Sequence, residues 1–570
     1  MDHTKCTLGR TSSASYKVAD PPLAGDPLAL SGDVIGRTTV SVPGSNESLC
    51  QIRKWLEECE SNHAECANPF IHQSISVPMV DGSESSQSGN TLPSRLINVG
   101  PGKESCSPFL WETEGKKGRY AVLSYSWGRS SSFKTKKSTY NDRLKGFDVA
   151  QLPNTIRDAV FVTRELGLQF LWVDALCIIQ DDDADWATES ARMDGIYGNA
   201  VITIAAAASK DKWEGCFRNA SPAATQTVAL TSQCSNGSGI GVMFISSRIG
   251  SVNEVLERSQ LCSRAWTLQE RACSRRSINF AQDQLYWECQ RHCTAEDGMV
   301  FTERSAINKC LSTISVLPTE SRFSSVMRCW HWLVTEYSQR ELFAKSDKLP
   351  AISGLASQIQ RHTGAQYLAG LWREDLPRAF LWHISSEDTS APATKWRSPS
   401  WSWASIDGPL TSQGLSVGAL TSRETLEELI ILSFKVDILN KNNMFGEVRS
   451  AEITVNGRLR PTRRALQKHQ FDYGGWIGNI SPGYPLDEYD ETGRSIGECY
   501  LDSIDTPPEF YCLLVHSGTK DIGRGLFALV HYFICVVEVR EAGTYKRIGA
   551  GYLAGEGQFE SYEPTTLRLV

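Results

Sequence analysis

Histidine is missing from a long central stretch: none occurs between His72 and His292. A cysteine or serine nucleophile there would have to draw its base from a distant part of the chain, so Ser-His-Asp and Cys-His arrangements are disfavoured. Excess positive charge is missing as well. The 570 residues carry a formal net charge of −7, with no basic domain of the kind nucleic acid requires, so no nucleic-acid partner is expected. The longest apolar run, LFALVHYFICVV (Leu526 to Val537), is too short to span a bilayer and contains His531. It reads as a buried strand, and no membrane partner is expected. Met1 to Asp20 has no apolar core, which excludes a secretory signal there. The G-x-x-x-x-G-K-[ST] and D-x-D-x-D-G patterns are absent, which excludes a P-loop module and an EF-type calcium loop. The 17 cysteines are scattered and odd in number. They fit reduced thiols, and a cytoplasmic location is expected.

Against these absences stand ordinary proportions, 41% hydrophobic and 22% charged, and an unusual 16 tryptophans. The length implies several structural units. Residues 1–48 are rich in Ser, Gly, Pro and Asp without periodicity, and read as a loose N-terminal arm. Residues 49–118 hold a helix, Cys50 to Cys66, a Ser/Gly-rich loop from Asp81 to Ser94 and a short strand, Arg95 to Gly100. Residues 119–295 alternate strand and helix, the mark of an α/β domain with a mainly parallel sheet flanked by helices. YAVLSYSWG is the first strand and LPNTIRDAVFVTRELG a helix that Asn154 or Thr155 can cap. LQFLWVDALCI is the second strand, Asp185 to Asn199 one helix, and AVITIAAAA the third strand. Residues 296–410 read as helical with a Trp-rich segment, Trp372 to Trp403, expected as core between the α/β unit and the tail. Residues 411–570 read as β-rich.

Three blocks in this order resemble the fungal heterokaryon-incompatibility (HET) domain family. They are YAVLSYSWG, the run from LPNTIRDAVF to ITIAAAAS, and SRAWTLQERACSRRSINF followed by LYWEC. The resemblance covers about residues 120 to 290. It implies a TIR-like α/β fold and a role in vegetative incompatibility: fungal non-self recognition leading to programmed cell death. It also implies protein partners or self-association. Some members of the family lie in metabolite gene clusters, which leaves an enzyme of fungal secondary metabolism as an alternative.

The candidate site follows from where ligands bind in open α/β sheets, at the carboxyl ends of strands. Ser124, Tyr125, Ser126, Trp127 and Gly128 end the first strand, and Asp174 and Cys177 the second. The two ends can line one crevice, with Gly128 permitting close backbone approach. The bland reading makes Trp127 and Cys177 core and lets the serines satisfy loop backbone. Asp181, Asp182 and Asp183 precede a helix and read as caps. Trp186, Glu189, Met193 and Ile196 recur at helical steps, which puts Glu189 on an apolar stripe where it needs a cation, a donor or a ligand. Trp-x-x-Glu also resembles the TIR helix that carries the catalytic glutamate of NAD-cleaving members. That makes an NAD glycohydrolase or N-riboside hydrolase the enzyme reading, with Glu189, Asp174 and Cys177 as catalytic candidates. NAD enters only as a substrate, and no cofactor is assigned. The alternative for Glu189 is an ion pair, with Arg264 as the candidate partner. Arg264 and Glu270, beside Trp266, can bind a nucleotide phosphate or lock a helix to the sheet. Cys59, His63 and Cys66 lie on one helix face. A straight helix at 1.5 Å per residue sets Cys59 and Cys66 about 10 Å apart, so packing is expected there and no metal is assigned.

Overall fold

The structure, a computed structural model, describes residues 16–18, 27–31, 43–67, 90–100, 107–128, 133–218, 228–247, 252–301, 319–385, 389–411, 426–465, 483–488, 495–503, 505–521 and 527–570. Most of the expected N-terminal arm and the Ser/Gly-rich segment up to residue 89 lie outside these. The chain divides into two compact units. The first comprises Met1–Trp186, Gly195–Ser263 and Cys273–Lys309, and the second Ala187–Asp194, Arg264–Ala272 and Cys310–Val570.

The first unit is built on nine strands: β1 (Arg95–Asn98), β2 (Phe109–Glu112), β3 (Ala121–Ser124), β4 (Phe170–Trp172), β5 (Ile202–Ala205), β6 (Arg276–Phe280), β7 (Leu285–Cys289), β8 (Cys293–Ala295) and β9 (Val300–Phe301). Their order across the sheet is β9-β8-β7-β6-β5-β3-β4-β1-β2. The pairs β4–β3, β3–β5 and β5–β6 are parallel. The remaining pairs are antiparallel, so the sheet is mixed where the α/β pattern suggested a mainly parallel one. Strands β3 and β5 are buried at every residue, which is why they read as continuous apolar runs rather than alternating ones. Strands β1 and β2 come from the segment read as a helix and linker ahead of the domain, and they extend its sheet.

Helix α1 (Asn46–Asn62) starts at Ser45, whose hydroxyl accepts the Ser48 N–H. It does not continue to Cys66. His63 takes φ −110 and ψ 89, and a single turn, α2 (Ala64–Ala67), leads off from it. The straight-helix separation of Cys59 and Cys66 therefore does not hold. Helix α3 (Asn154–Glu165) buries Ile156, Ala159, Val160 and Thr163, the expected stripe, and stops before Gly167 at φ +70. Neither Asn154 nor Thr155 caps it. Pro153 stands at the N-cap, and the Thr155 hydroxyl instead receives Gly215 N–H.

The second strand ends early. Asp174 opens a one-turn helix, α4 (Asp174–Cys177), because Val173 carbonyl collects the N–H groups of Leu176 and Cys177. The helix expected over Asp185 to Asn199 is two: α5 (Asp183–Ser190) and α6 (Met193–Asn199). A turn closed by Arg192 N–H on Glu189 carbonyl separates them. Helix α7 follows at Trp266–Cys273.

The second unit holds α8 (Thr319–Ser338), α9 (Ser353–Thr363) and an extensive sheet whose strands include β10 (Ile430–Ile438), β11 (Val448–Arg463), β12 (Gly497–Leu501), β13 (Glu509–Asp521), β14 (Phe527–Glu538), β15 (Thr544–Ala554) and β16 (Pro564–Leu569). Pairings β13–β14, β14–β15, β15–β16, β16–β11 and β11–β13 close a ring, which leaves those strands without a free edge. Leu514, Phe533, Cys535, Ile548 and Phe559 are among the residues of one core cluster. The expected apolar run, from Phe527 on, is β14. Trp372, Trp382, Trp401 and Trp403 are fully buried and pack within this unit. Trp330 and Trp403 both donate to Gly370 carbonyl, at 3.1 and 2.7 Å. Gly370 has φ +101, and a Cβ there would meet Trp403 at 2.8 Å, so glycine is required.

No helix among the described residues is long and apolar enough to cross a membrane. Thirteen described cysteines are free thiols; Cys329 departs from the reduced-thiol expectation in being disulfide-bonded.

Two buried histidines make this unit sensitive to acid. His383 lies against Tyr500 and His516 against Tyr532, each pair 4.9 Å apart between ring centroids. The His516 imidazole has no hydrogen-bond partner among the described residues, and burial pushes both rings down to about 4. The folded values lie below the unfolded one near 6.5, so the unfolded chain binds more protons between them. Stability is therefore complete above pH 6.5 and falls as pH drops toward 4, by roughly 3 kcal/mol for each ring. Urea unfolding at stepped pH should show this loss, and His516→Phe should remove about half of it. A profile flat from pH 6.5 to 4 would contradict the burial argument.

Candidate functional site

The four parallel neighbours run β4-β3-β5-β6, which in chain order is second, first, third, fourth. The chain leaves β3 toward β4 on one side and then returns to β5 on the other. The switch point thus lies between β3 and β5, where this kind of sheet opens a crevice. Ser124, Tyr125 and Ser126 are buried, and Ser124 carbonyl accepts Ala206 N–H at 3.0 Å. Trp127 is half-buried rather than core, and its indole N–H donates to Asp174 Oδ2 at 2.8 Å. Asp174 Oδ1 accepts Ala175 N–H at 2.6 Å. The ends of β3 and β4 therefore meet directly through the Trp127–Asp174 pair.

Gly128, at φ +70, permits an approach, and the approaching residue is Asp211. A Cβ on Gly128 would stand 2.4 Å from the Asp211 Cβ. Asp211 belongs to the loop after β5, and this loop brings in a residue that the sequence reading did not single out, Lys212. Its side chain is buried, 3% exposed. Burial first, then Lys134, pushes the ammonium below the usual lysine range, while Asp211 and Asp174 pull it back up. The assembled group is an amine of lowered basicity, two carboxylates and an indole donor at the switch point. Such a group can hold an anionic or polar ligand. The signal in the sequence was the strand-end rule itself, applied to the third strand as well as the first two.

Cys177 is fully buried, and its Sγ receives Val173 N–H at 3.4 Å. The described histidines of this unit, His63 and His292, pack edge to face on each other at 5.0 Å, with His63 Nδ1 3.5 Å from Cys289 Sγ. Cys177 has the surroundings of a packing residue. In the acidic run, Asp182 Oδ1 accepts the N–H groups of Ala184 and Asp185, and Asp181 accepts Lys137 N–H. Lys137 and those backbone donors hold the Asp182 carboxyl below its usual range. Asp185 takes up Arg95 and Ile179 N–H.

The unit boundary falls inside α5: Trp186, half-buried, belongs to the first unit, and Glu189 to the second. Glu189 is 1% exposed. Its Oε1 lies 3.8 Å from Arg192 Nη1, while Oε2 is buried without a hydrogen-bond partner among the described residues. The cation at Glu189 is thus Arg192, three residues on, where the sequence pointed to Arg264. Arg264 is half-buried and bridges its backbone to Glu341, and Ala265 N–H bonds Glu341 carbonyl. Glu270 is buried. Its neighbour Gln269 receives Gly354 N–H of α9 at 2.7 Å, and Trp266 donates to Asp347 at 3.1 Å. On the same helix α9, Gln358 and Arg361 hold Asp194 at 2.8 and 2.9 Å. The segments 187–194 and 264–272 are therefore integral to the second unit. That unit also has a cleft of about 730 Å³, lined in part by Lys395, Lys435, Arg449, Lys546 and Asp502. None of the candidate site residues lines it, whereas Trp396 and Ser400 of the Trp-rich segment do.

Residues 120–270 match the family model described as heterokaryon incompatibility protein (HET). Among curated proteins and solved structures, none matches the chain. The matched segment begins at the residue before β3 and ends within α7, so it contains the switch point, Asp174, Lys212 and Glu189. The chain carries a heterokaryon incompatibility domain over residues 120–270.

Proposed function

We propose that this protein acts in fungal vegetative incompatibility, coupling non-self recognition to programmed cell death in the cytoplasm, with a TIR-like reading of the sheet unit. The family match over residues 120–270 carries this proposal. The Asp174–Lys212 group supports a small polar ligand at the switch point as the responsive element, and a partner protein or a second copy of the chain as the receiver of the signal. Induced expression of the whole chain in a filamentous fungus is the test. Growth should arrest and viability fall, and Lys212→Met should return colony survival toward the empty-vector level. Undiminished survival with the unaltered chain well expressed would defeat the reading.

A second reading, NAD cleavage, draws on one observation: the orphaned, buried Oε2 of Glu189. A carboxylate oxygen left without a donor is costly unless something else engages it. A ribose acquiring positive charge as nicotinamide departs is such a group. Purified protein incubated with NAD should then release nicotinamide, and Glu189→Gln should slow release by about a hundredfold or more. Equal release by the variant would return Glu189 to a structural ion pair with Arg192.

A further inference from the structure

Four metal-ligating side chains of the first unit converge far from the switch-point residues in sequence. Cys59, His63, Cys66 and Cys289 are all buried, and their ligand atoms lie within 4.8 Å of one another. Cys59 comes from the last turn of α1, His63 from the break, Cys66 from α2 and Cys289 from the end of β7. The break at His63 is what makes convergence feasible. Cys66 N–H bonds His63 carbonyl at 3.0 Å, folding α2 back so that Cys66 joins Cys59. His63 Nδ1 stands 3.5 Å from Cys289 Sγ, across 226 residues of chain.

A second observation points to negative charge at this spot. Arg276 lies on β6 directly opposite Cys289 and is 5% exposed. Its Nε reaches Cys59 Sγ at 3.0 Å, and its other nitrogens reach Cys66 carbonyl at 3.3 Å and Val201 carbonyl at 3.4 Å. No carboxylate pairs with this guanidinium among the described residues. A buried cation needs a compensating anion. Three neutral thiols do not supply one. Three thiolates and an imidazole around a divalent ion do: the centre carries one net negative charge, which Arg276 balances.

We propose that Cys59, His63, Cys66 and Cys289 bind one tetrahedral divalent metal ion of the zinc class. Three thiol protons leave to solvent as three metal–sulfur bonds form, and one imidazole nitrogen gives the fourth bond. Four protein ligands, all buried, leave no position for a substrate, so the site is structural. It clamps α1 and α2 onto β7 and closes a chain segment that otherwise costs loop entropy to hold. The soft, sulfur-rich ligand set selects zinc over magnesium or calcium.

The test uses the whole chain, purified without chelator. Elemental analysis should find about one zinc per chain. Titration of the unaltered protein with an organomercurial should release that zinc as three thiols react. Exchange with cobalt(II) should produce thiolate-to-metal charge transfer and the intense visible bands of a tetrahedral site. Cys289→Ser should lose most of the metal, whereas Cys50→Ser, which alters an exposed thiol on α1, should keep it. Should the Cys289 variant fail to fold, the mercurial and cobalt measurements on the unaltered chain still decide. The proposal is overturned by zinc below roughly a tenth of an equivalent, by a cobalt spectrum without thiolate bands, or by a disulfide between any two of these cysteines in the freshly isolated protein.

Discussion

Replacing Arg547 by methionine is expected to destabilise the second unit by about 3–5 kcal/mol. The guanidinium is 1% exposed. It pairs with Asp502 at 2.5 Å, donates to the carbonyls of Phe380 and Trp382, and lies 3.5 Å from the centre of the Trp382 ring. Asp502 is itself buried, and burial raises its carboxyl while Arg547 draws it back down. Without the arginine, a carboxylate stays in the core with no counter-charge, and the unit must protonate it or open. The cost should therefore shrink as the buffer is acidified. Adding Asp502→Leu should recover much of the loss, because a well-packed apolar pair often equals a buried ion pair. Lysine at 547 should not recover it, since a single ammonium cannot serve the carboxylate and two carbonyls in fixed directions. Guanidinium unfolding of the three variants measures this. A double variant as unstable as the single one would place the energy in the carbonyl bonds and the Trp382 contact instead.

The second large effect is expected in the first unit, from Arg95→Ala. Arg95, on β1, sets its Nη2 at 2.6 Å from both Asp185 oxygens and donates from Nε to Cys177 carbonyl at 2.7 Å. Asp185 in turn accepts Ile179 N–H at 2.8 Å. One side chain thus holds the whole turn from α4 to α5 against the edge of the parallel strands. Asp185 keeps some contact with water, so the loss should sit near the low end for a buried pair, about 3 kcal/mol. The turn carries Asp174 at one end and leads to Glu189 at the other, so cell killing or nicotinamide release should fall with it. Unchanged unfolding in the alanine variant would show that the turn is held by its backbone bonds alone.

Much of the first unit was legible because its signals are local. The continuous apolar runs of β3 and β5 announce strands covered on both faces. The stripe of α3 announces a helix with one buried side. The acidic run before α5 reads as caps, and Asp182 serves as one. Where the reading failed, a short-range preference met a longer-range demand. FLWVDALC looks like one strand, but Asp174 folds back onto Ala175 N–H and Trp127 and turns the chain into a helix. DWATESARMDGIYGN looks like one helix, but the Glu189–Arg192 turn divides it. Lys212 passed unnoticed because nothing in a lysine after a strand distinguishes a buried amine from an exposed one. Its neighbours, Asp174 and Asp211, come from different strand ends and are set beside it only by the sheet order.

The sequence by itself determined the alternation of strand and helix, the absence of a local histidine base, and the match of residues 120–270 to the heterokaryon incompatibility family model. These follow from periodicity, composition and motif, which any window of the chain displays. Tertiary structure alone decided which distant residues meet. A straight helix would hold Cys59 and Cys66 too far apart to share one ion. A break at His63 and the arrival of Cys289 on β7 turned three ligands into four. Arg276, one strand over, completes the charge balance. Periodicity reports the face a residue occupies, whereas strand order and a bent helix axis determine what that face touches.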